Sequence, residues 1–144
     1  MKKVVLILAL TGLTYTATFA CTCADIPDPL KDKVAWWLKD STAVFTGESI
    51  KLEKIPQTRD MVVTFSVDEF WKGDLSGVVE LRTPIDSASC GFDFRIGRSY
   101  LVYAYGPKTA LMTGLCGGNR EQYDARDQLE VLGRGKQPKS KNPE

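Results

Sequence analysis

Apolar and polar residues alternate through the middle of the chain with the period of two that a half-buried β-strand requires. Within one such run, Val63, Phe65 and Val67 lie on one face while Thr64 and Asp68 lie on the other. A later run is apolar on both faces, which is typical of a strand covered on both sides. The centre of the chain is therefore predicted to be mostly β, with strand-like runs over 42–54, 61–71, 78–83, 99–105 and 110–115.

A helix is predicted on each side of this β-rich region, because apolar residues recur there at helical spacing. The apolar face of the first helix is formed by Leu30, Val34, Trp37 and Leu38, and Trp36 falls on its charged side. The ring of Trp36 either lies over neighbouring strands or forms a contact surface. The second helix has Asn119 as its expected cap, ends at Gly133, and has an apolar face formed by Ala125, Leu129 and Leu132.

The pattern at the beginning of the sequence is that of a secretory signal peptide over 1–20. Lys2 and Lys3 precede a short apolar run, and small residues stand at the −3 and −1 positions of a cleavage site after Ala20. We expect Cys21 to become the first residue of a secreted or periplasmic protein. No later run approaches the roughly 18 apolar residues of a membrane span, so no transmembrane segment is expected.

Composition and charge restrict the domain organisation and the partners. Residues 21–133 have the length of one domain, whereas 134–144 is rich in lysine and proline and is predicted to be a disordered, dispensable basic tail. The 19 basic and 18 acidic residues nearly balance, which gives no reason to expect binding to nucleic acid or to an anionic membrane. A monomer is expected.

The chain contains no histidine. This removes the most common general base, the Ser-His-Asp and Cys-His arrangements, and most zinc sites built by a protein's own side chains. An enzyme would have to work with carboxylates, lysine or tyrosine alone. We therefore expect a protein that is not an enzyme and that needs no cofactor.

Four cysteines follow the signal peptide, at Cys21, Cys23, Cys90 and Cys116. An even number in an oxidising compartment predicts two disulfides. Because cysteines separated by one residue seldom bond to each other, Cys21 and Cys23 are each expected to reach Cys90 or Cys116, and two pairings remain open. A redox role for the Cys21–Cys23 pair is the weaker alternative, since exchange enzymes use Cys-x-x-Cys in a βαβ setting.

Four stretches resemble the tissue inhibitors of metalloproteinases and the wider netrin-like OB-fold family. They are the opening Cys21-Thr22-Cys23, the first barrel strand over 41–50, the Cys-Gly-aromatic stretch over 83–92, and the final strand over 111–116. The resemblance covers nearly all of 21–132. The family's third N-terminal disulfide and its cysteine-rich C-terminal domain are missing, so the chain resembles a single-domain bacterial relative.

The resemblance implies both a fold and a mechanism. The fold would be a five-stranded OB-type barrel with flanking helices near each end and bridges Cys21–Cys90 and Cys23–Cys116. The partner would be a zinc metalloprotease, whose metal is chelated by the α-amino nitrogen and carbonyl oxygen of Cys21. Thr22 would enter the adjacent specificity pocket. The other protease-binding residues implied are Cys23, Ala24 and Asp25, with a second ridge formed by Ser87, Ala88, Ser89 and Cys90.

Two other readings of the same features remain. An N-terminal cysteine after a signal peptide can be the acceptor of a lipid, which would acylate the amine that chelation needs. Thr18 and Phe19 stand where lipoproteins usually have leucine and a small residue. The second reading is a secreted or periplasmic OB-fold binding module without inhibitory activity, because a shared fold does not by itself fix a function.

Overall fold

The computed structural model describes residues 21–139, so the predicted signal peptide over 1–20 lies outside the described residues. The structure is mostly β. Helix α1 (Leu30–Asp40) precedes four strands, β1 (Ala43–Lys54), β2 (Asp60–Lys72), β3 (Val78–Pro84) and β4 (Ser99–Ala104). A two-residue strand β5 (Arg120–Glu121) and helix α2 (Arg126–Leu132) follow. Short 3-10 turns lie at Ser87–Ser89 and Gln122–Ala125.

The five strands form one antiparallel sheet in the order β3-β2-β1-β4-β5. Strand β1 is central and pairs with β2 through a register that shifts at three points, one of them between Thr46 and Gly47. A Cβ atom on Gly47 would lie 2.5 Å from the carbonyl oxygen of Ser66, so only glycine allows the two backbones to approach this closely.

Apolar side chains cover both faces of the sheet. One face carries the larger cluster, in which Phe65 makes edge-to-face contacts with Phe45, Phe94 and Tyr100 at centroid distances of 5.2 to 6.4 Å. The helices cover the other face with a second cluster, formed by Val34, Trp37, Val44, Leu101, Tyr103 and Ala125. Burial on both sides explains why β4 is a continuous apolar run rather than an alternating one.

The run predicted as a strand over 110–115 is not one of the five strands. Met112 instead makes isolated bridges to Arg82 at the β3 edge and to Tyr105 just beyond β4. Its neighbours complete the link, because Arg82 N donates to Leu111 O at 2.9 Å and Thr113 N donates to Arg82 O at 2.8 Å. The sheet itself does not close on a ladder between its edge strands, so the OB-type barrel remains a prediction.

Residues 134–139 are held along the end of β2, which differs from the disorder that composition predicts. Phe70 and Lys136 exchange two backbone hydrogen bonds of 2.9 and 2.7 Å, and Gly135 N donates to a carboxylate oxygen of Glu69 at 2.7 Å. Just before them, the carbonyl of Gly133 accepts the indole N–H of Trp71 at 2.8 Å. The bonds are mostly to the backbone, so a segment with few apolar residues can still be fixed. Residues 140–144 lie outside the described part of the chain.

Candidate functional site

Two disulfides fix the segment over 21–23 to the body of the domain. Cys21 bonds to Cys90 and Cys23 bonds to Cys116, with Cα atoms 5.1 and 5.3 Å apart. This is the pairing that the family resemblance implies. The Sγ atoms of Cys21 and Cys116 are 3.7 Å apart, so the two bridges are in contact. Thr22 is the one residue between two cross-linked positions.

Most of the segment that begins at Cys21 lies on the surface. Thr22, Cys23, Ala24 and Asp25 are all exposed, whereas Cys21 is half-buried. The segment therefore presents an extended run of accessible backbone and side chains, with its first residue turned toward the ridge that carries Cys90. A segment that is exposed to solvent and covalently attached to the domain is suited to form a contact surface.

The ridge over 87–90 is a 3-10 turn held by Asp86. The Asp86 carboxylate accepts the amide N–H of Ser89 at 2.8 Å and pairs with the Arg59 guanidinium at 2.9 Å. The hydrogen bond from Arg59, followed by that from Ser89, holds the pKa of Asp86 below its ordinary value. Cys90 ends the turn with φ of 67°, a left-handed conformation that turns the chain back into the domain.

Two glycines allow the ridge to pack closely against neighbouring backbone. A Cβ on Gly91 would lie 1.9 Å from the carbonyl oxygen of Pro84, and one on Gly114 would lie 2.6 Å from that of Cys90. The same Cys90 carbonyl accepts the amide N–H of Leu115 at 2.8 Å. The turn that presents the ridge is thereby joined to the segment that carries Cys116. All the residues predicted for the protease-binding edge thus belong to two chain segments joined by the Cys21–Cys90 bridge.

Asn119 stabilises this arrangement in a way that the sequence does not show. It is buried, its Oδ1 accepts the amide N–H of Tyr103 at 2.8 Å, and its Nδ2 donates to Thr113 Oγ1 and to Gly114 O, each at 2.8 Å. The prediction that Asn119 caps the last helix is wrong, because its side chain is used in these three bonds and α2 begins only at Arg126. An asparagine after Gly-Gly resembles a cap in sequence, and no local signal identifies a distant partner.

The sulfur atoms do not form a resident metal site. Those of Cys21, Cys23 and Cys116 lie within 4.8 Å of one another, a spacing that could suit a metal ion. Each of them is part of a disulfide, however, and metal binding by cysteine requires the thiolate. If Cys21 takes part in metal binding, it does so through backbone atoms.

Comparison with known proteins found no matching family model and no similar curated protein. Between residues 21 and 139, no helix is long and apolar enough to span a bilayer. The geometry of the disulfide-anchored edge is therefore the main basis for inferring a function.

Proposed function

We propose that the protein is a secreted or periplasmic inhibitor of a zinc metalloprotease, which chelates the catalytic zinc of its partner through the α-amino nitrogen and carbonyl oxygen of Cys21. The single observation that carries this proposal is the double anchoring of 21–23 by adjacent disulfides. An amine used as a metal ligand must be held in place, because ordering a free terminus on binding would cost conformational entropy.

The chemistry of the partner suits such an edge. A catalytic zinc ion has three protein ligands and an open position occupied by water. A neutral amine and an adjacent carbonyl oxygen can displace that water as a bidentate pair. The α-amino group of a peptide has an ordinary pKa of about 7.7–8.0, so a minor fraction is neutral near pH 7, and zinc increases that fraction by competing with the proton.

Three further features support the proposed contact surface. Thr22 is exposed beside the chelating residue, where it would enter the adjacent specificity pocket. Cys23, Ala24 and Asp25 continue along the same exposed segment. The ridge of Ser87, Ala88 and Ser89 would add a second strip of contact, since Cys90 is bonded to Cys21.

The proposed fold is the OB-type barrel of the netrin-like family. Its support is the five-stranded antiparallel sheet with a helix near each end and the isolated bridges of Met112 to both Arg82 and Tyr105. Those bridges lie where a partly closed barrel would join β3 to the region after β4.

The chelation mechanism is tested by adding one alanine before Cys21. The added residue moves the free amine by about 3.5 Å and converts the nitrogen of Cys21 to an amide. We expect inhibition of a responsive metalloprotease to be lost, while the disulfide map and the melting temperature stay as in the parent. An extended protein that inhibits as well as the parent would show that the mechanism is wrong.

The role of Thr22 is tested by Thr22→Gly, with Thr109→Gly in an exposed loop as the matched control. We expect Thr22→Gly to weaken inhibition by different factors for proteases with different specificity pockets, because it removes the side chain aimed there. The control should leave all inhibition constants unchanged. Equal losses with both variants would assign the effect to backbone flexibility rather than to the pocket.

Intact mass and N-terminal sequencing of the exported protein separate the remaining alternatives. A free Cys21 amine is required for inhibition, whereas an acylated Cys21 would identify a lipoprotein. A protein with a free Cys21 that inhibits no member of a metalloprotease panel is better described as an OB-fold binding module. In that case the anchored edge would serve only the stability of the domain.

A further inference from the structure

A cavity of about 320 Å³ lies between the end of α1 and the segment that carries Cys116. Aromatic rings dominate its wall, contributed by Trp36, Trp37, Tyr103 and Tyr105. Trp36, Tyr105 and Leu115 are 39, 43 and 42% exposed, so the cavity opens to solvent between them. Its volume is near the lower limit for small-molecule sites, which favours a compact ligand.

The charge of the cavity favours a cation. Asp40 is the only charged residue among those that line it, and its carboxylate makes no ion pair with any residue between 21 and 139. The ammonium of Lys72 lies close by in the fold, but it donates to the carbonyls of Leu38 and Lys39 at 2.8 Å each. The carboxylate therefore stands at an aromatic cavity without a neutralising partner among the described residues.

Behind the cavity wall lies a buried hydrogen-bond donor, the indole nitrogen of Trp37, which is covered by protein atoms. Trp37 is 8% exposed, and its indole N–H has no acceptor within the described part of the chain. The other polar side chains nearby are engaged, since the Tyr103 hydroxyl donates to Gln128 Oε1 at 3.1 Å and Ser41 Oγ donates to Trp37 O at 2.7 Å. A buried donor without an acceptor is costly, and because protein atoms cover this nitrogen, a ligand in the cavity does not contact it.

We propose that this cavity binds a small quaternary ammonium compound, such as choline. The methylated cation would lie against the rings of Trp36 and Tyr105, where the negative face of an aromatic ring attracts positive charge. Asp40 supplies the countercharge. Cys90 and Cys116 also line the cavity, so it borders the proposed protease-binding edge, but the ligand contacts proposed here use no side chain of that edge.

The test uses choline and its uncharged analogue 3,3-dimethyl-1-butanol, which has the same shape. Both are titrated into the exported protein while the three indole N–H signals are followed by NMR. We expect choline to shift the signals of Trp36 and Trp37 to saturation and to leave that of Trp71 unchanged, since Trp71 donates to Gly133 away from the cavity. The neutral analogue should bind at least ten-fold more weakly.

Two carboxylate variants make the electrostatic part specific. Asp40→Asn should weaken choline binding at least five-fold, whereas Asp68→Asn, an exposed residue of β2 that does not line the cavity, should leave it unchanged. Inhibition of a metalloprotease, if present, should be the same in both variants. This separates failure of the ligand site from failure of the proposed function.

Several outcomes would overturn the proposal. Equal binding of choline and the neutral analogue, or an unchanged affinity in Asp40→Asn, would show that the ligand's charge does not contribute to binding. Tighter binding of Nα-acetyl-lysine amide, which keeps a free ε-ammonium group, than of choline would identify a basic side chain of a partner protein as the occupant. No saturable shift with any cation would show that the cavity is not a cation site.

Discussion

At the scale of single residues, the domain depends on a few polar side chains that join segments far apart in sequence. Asn119 links the backbone at Tyr103 to the segment carrying Thr113 and Gly114, and Asp86 orders the ridge beside Cys90. Both residues hold backbone segments that adjoin the proposed contact edge. The contributions of both residues can be tested through stability and local order.

Replacing Asn119 by alanine should destabilise the domain by about 2–5 kcal/mol, because three buried groups lose their hydrogen-bond partner. Chemical denaturation measures the change, and Gln137→Ala, at an exposed amide side chain, is the control. A loss below about 0.5 kcal/mol would mean that water or a neighbouring group replaces the amide.

The ridge should lose order on acidification because the pKa of Asp86 is held below its ordinary value. Its contribution is fully present above the unfolded pKa of about 4 and is lost as the pH falls through the lower folded value. We expect hydrogen exchange at the Ser89 amide, corrected for intrinsic rates, to lose protection in that acidic range. In Asp86→Asn this pH dependence should disappear, and its persistence would assign the titration to another group.

At the scale of elements, the periodic patterns of apolar residues predict the helices and strands correctly, whereas the irregular segments do not predict their own pairing. The helix predicted from Leu30, Val34 and Trp37 is α1, and the alternation around Phe65 is β2. The run over 110–115 was predicted as a strand because its side chains resemble one. Within this run, Met112 alone forms bridges, one to Arg82 and one to Tyr105. The periodicity of a segment does not encode which other segments it pairs with.

The segment over 134–139 is the clearest case of a contact invisible to composition. Gly135 fits where a Cβ would lie 2.7 Å from Glu69 Cγ and 2.8 Å from Phe70 O, so the chain passes directly beside the end of β2. Truncation after Gly133 should therefore cost about 2 kcal/mol and lower the melting temperature by about 5–10 °C.

Truncation after Lys139 is the matched control, since it keeps every bond between this segment and β2. It should melt as the full chain does. If truncation after Gly133 also leaves the melting temperature unchanged, the backbone bonds to Phe70 contribute nothing to the free energy of unfolding.

At the scale of the whole molecule, two apolar clusters stabilise the sheet, and two disulfides attach the segment before α1 to the connections that follow β3 and β4. The resemblance implied the disulfide pairing, whereas residue spacing alone left two pairings open. The contact between the bridges, with Sγ atoms 3.7 Å apart, depends on how the ridge and the segment that carries Cys116 meet in three dimensions. Such long-range geometry is outside the reach of local sequence patterns.

Each bridge closes a long loop, of 69 residues for Cys21–Cys90 and 93 for Cys23–Cys116. Replacing both cysteines of either bridge by serine should lower the free energy of unfolding by about 2–5 kcal/mol, mainly by freeing the unfolded chain. Chemical denaturation gives this number, and far-ultraviolet circular dichroism should remain that of the parent. A change in the spectrum would mean that the bridge shapes the folded sheet as well.

The position of Thr22 between two cross-linked cysteines has a practical consequence for protein engineering. Its backbone is attached covalently to the domain on both sides, so a new side chain at this position is presented from the same place each time. A combinatorial library at position 22 would compare the chemistry of different side chains while the position of the backbone changes little. The domain is thus a scaffold on which single side chains can be compared in a fixed backbone setting.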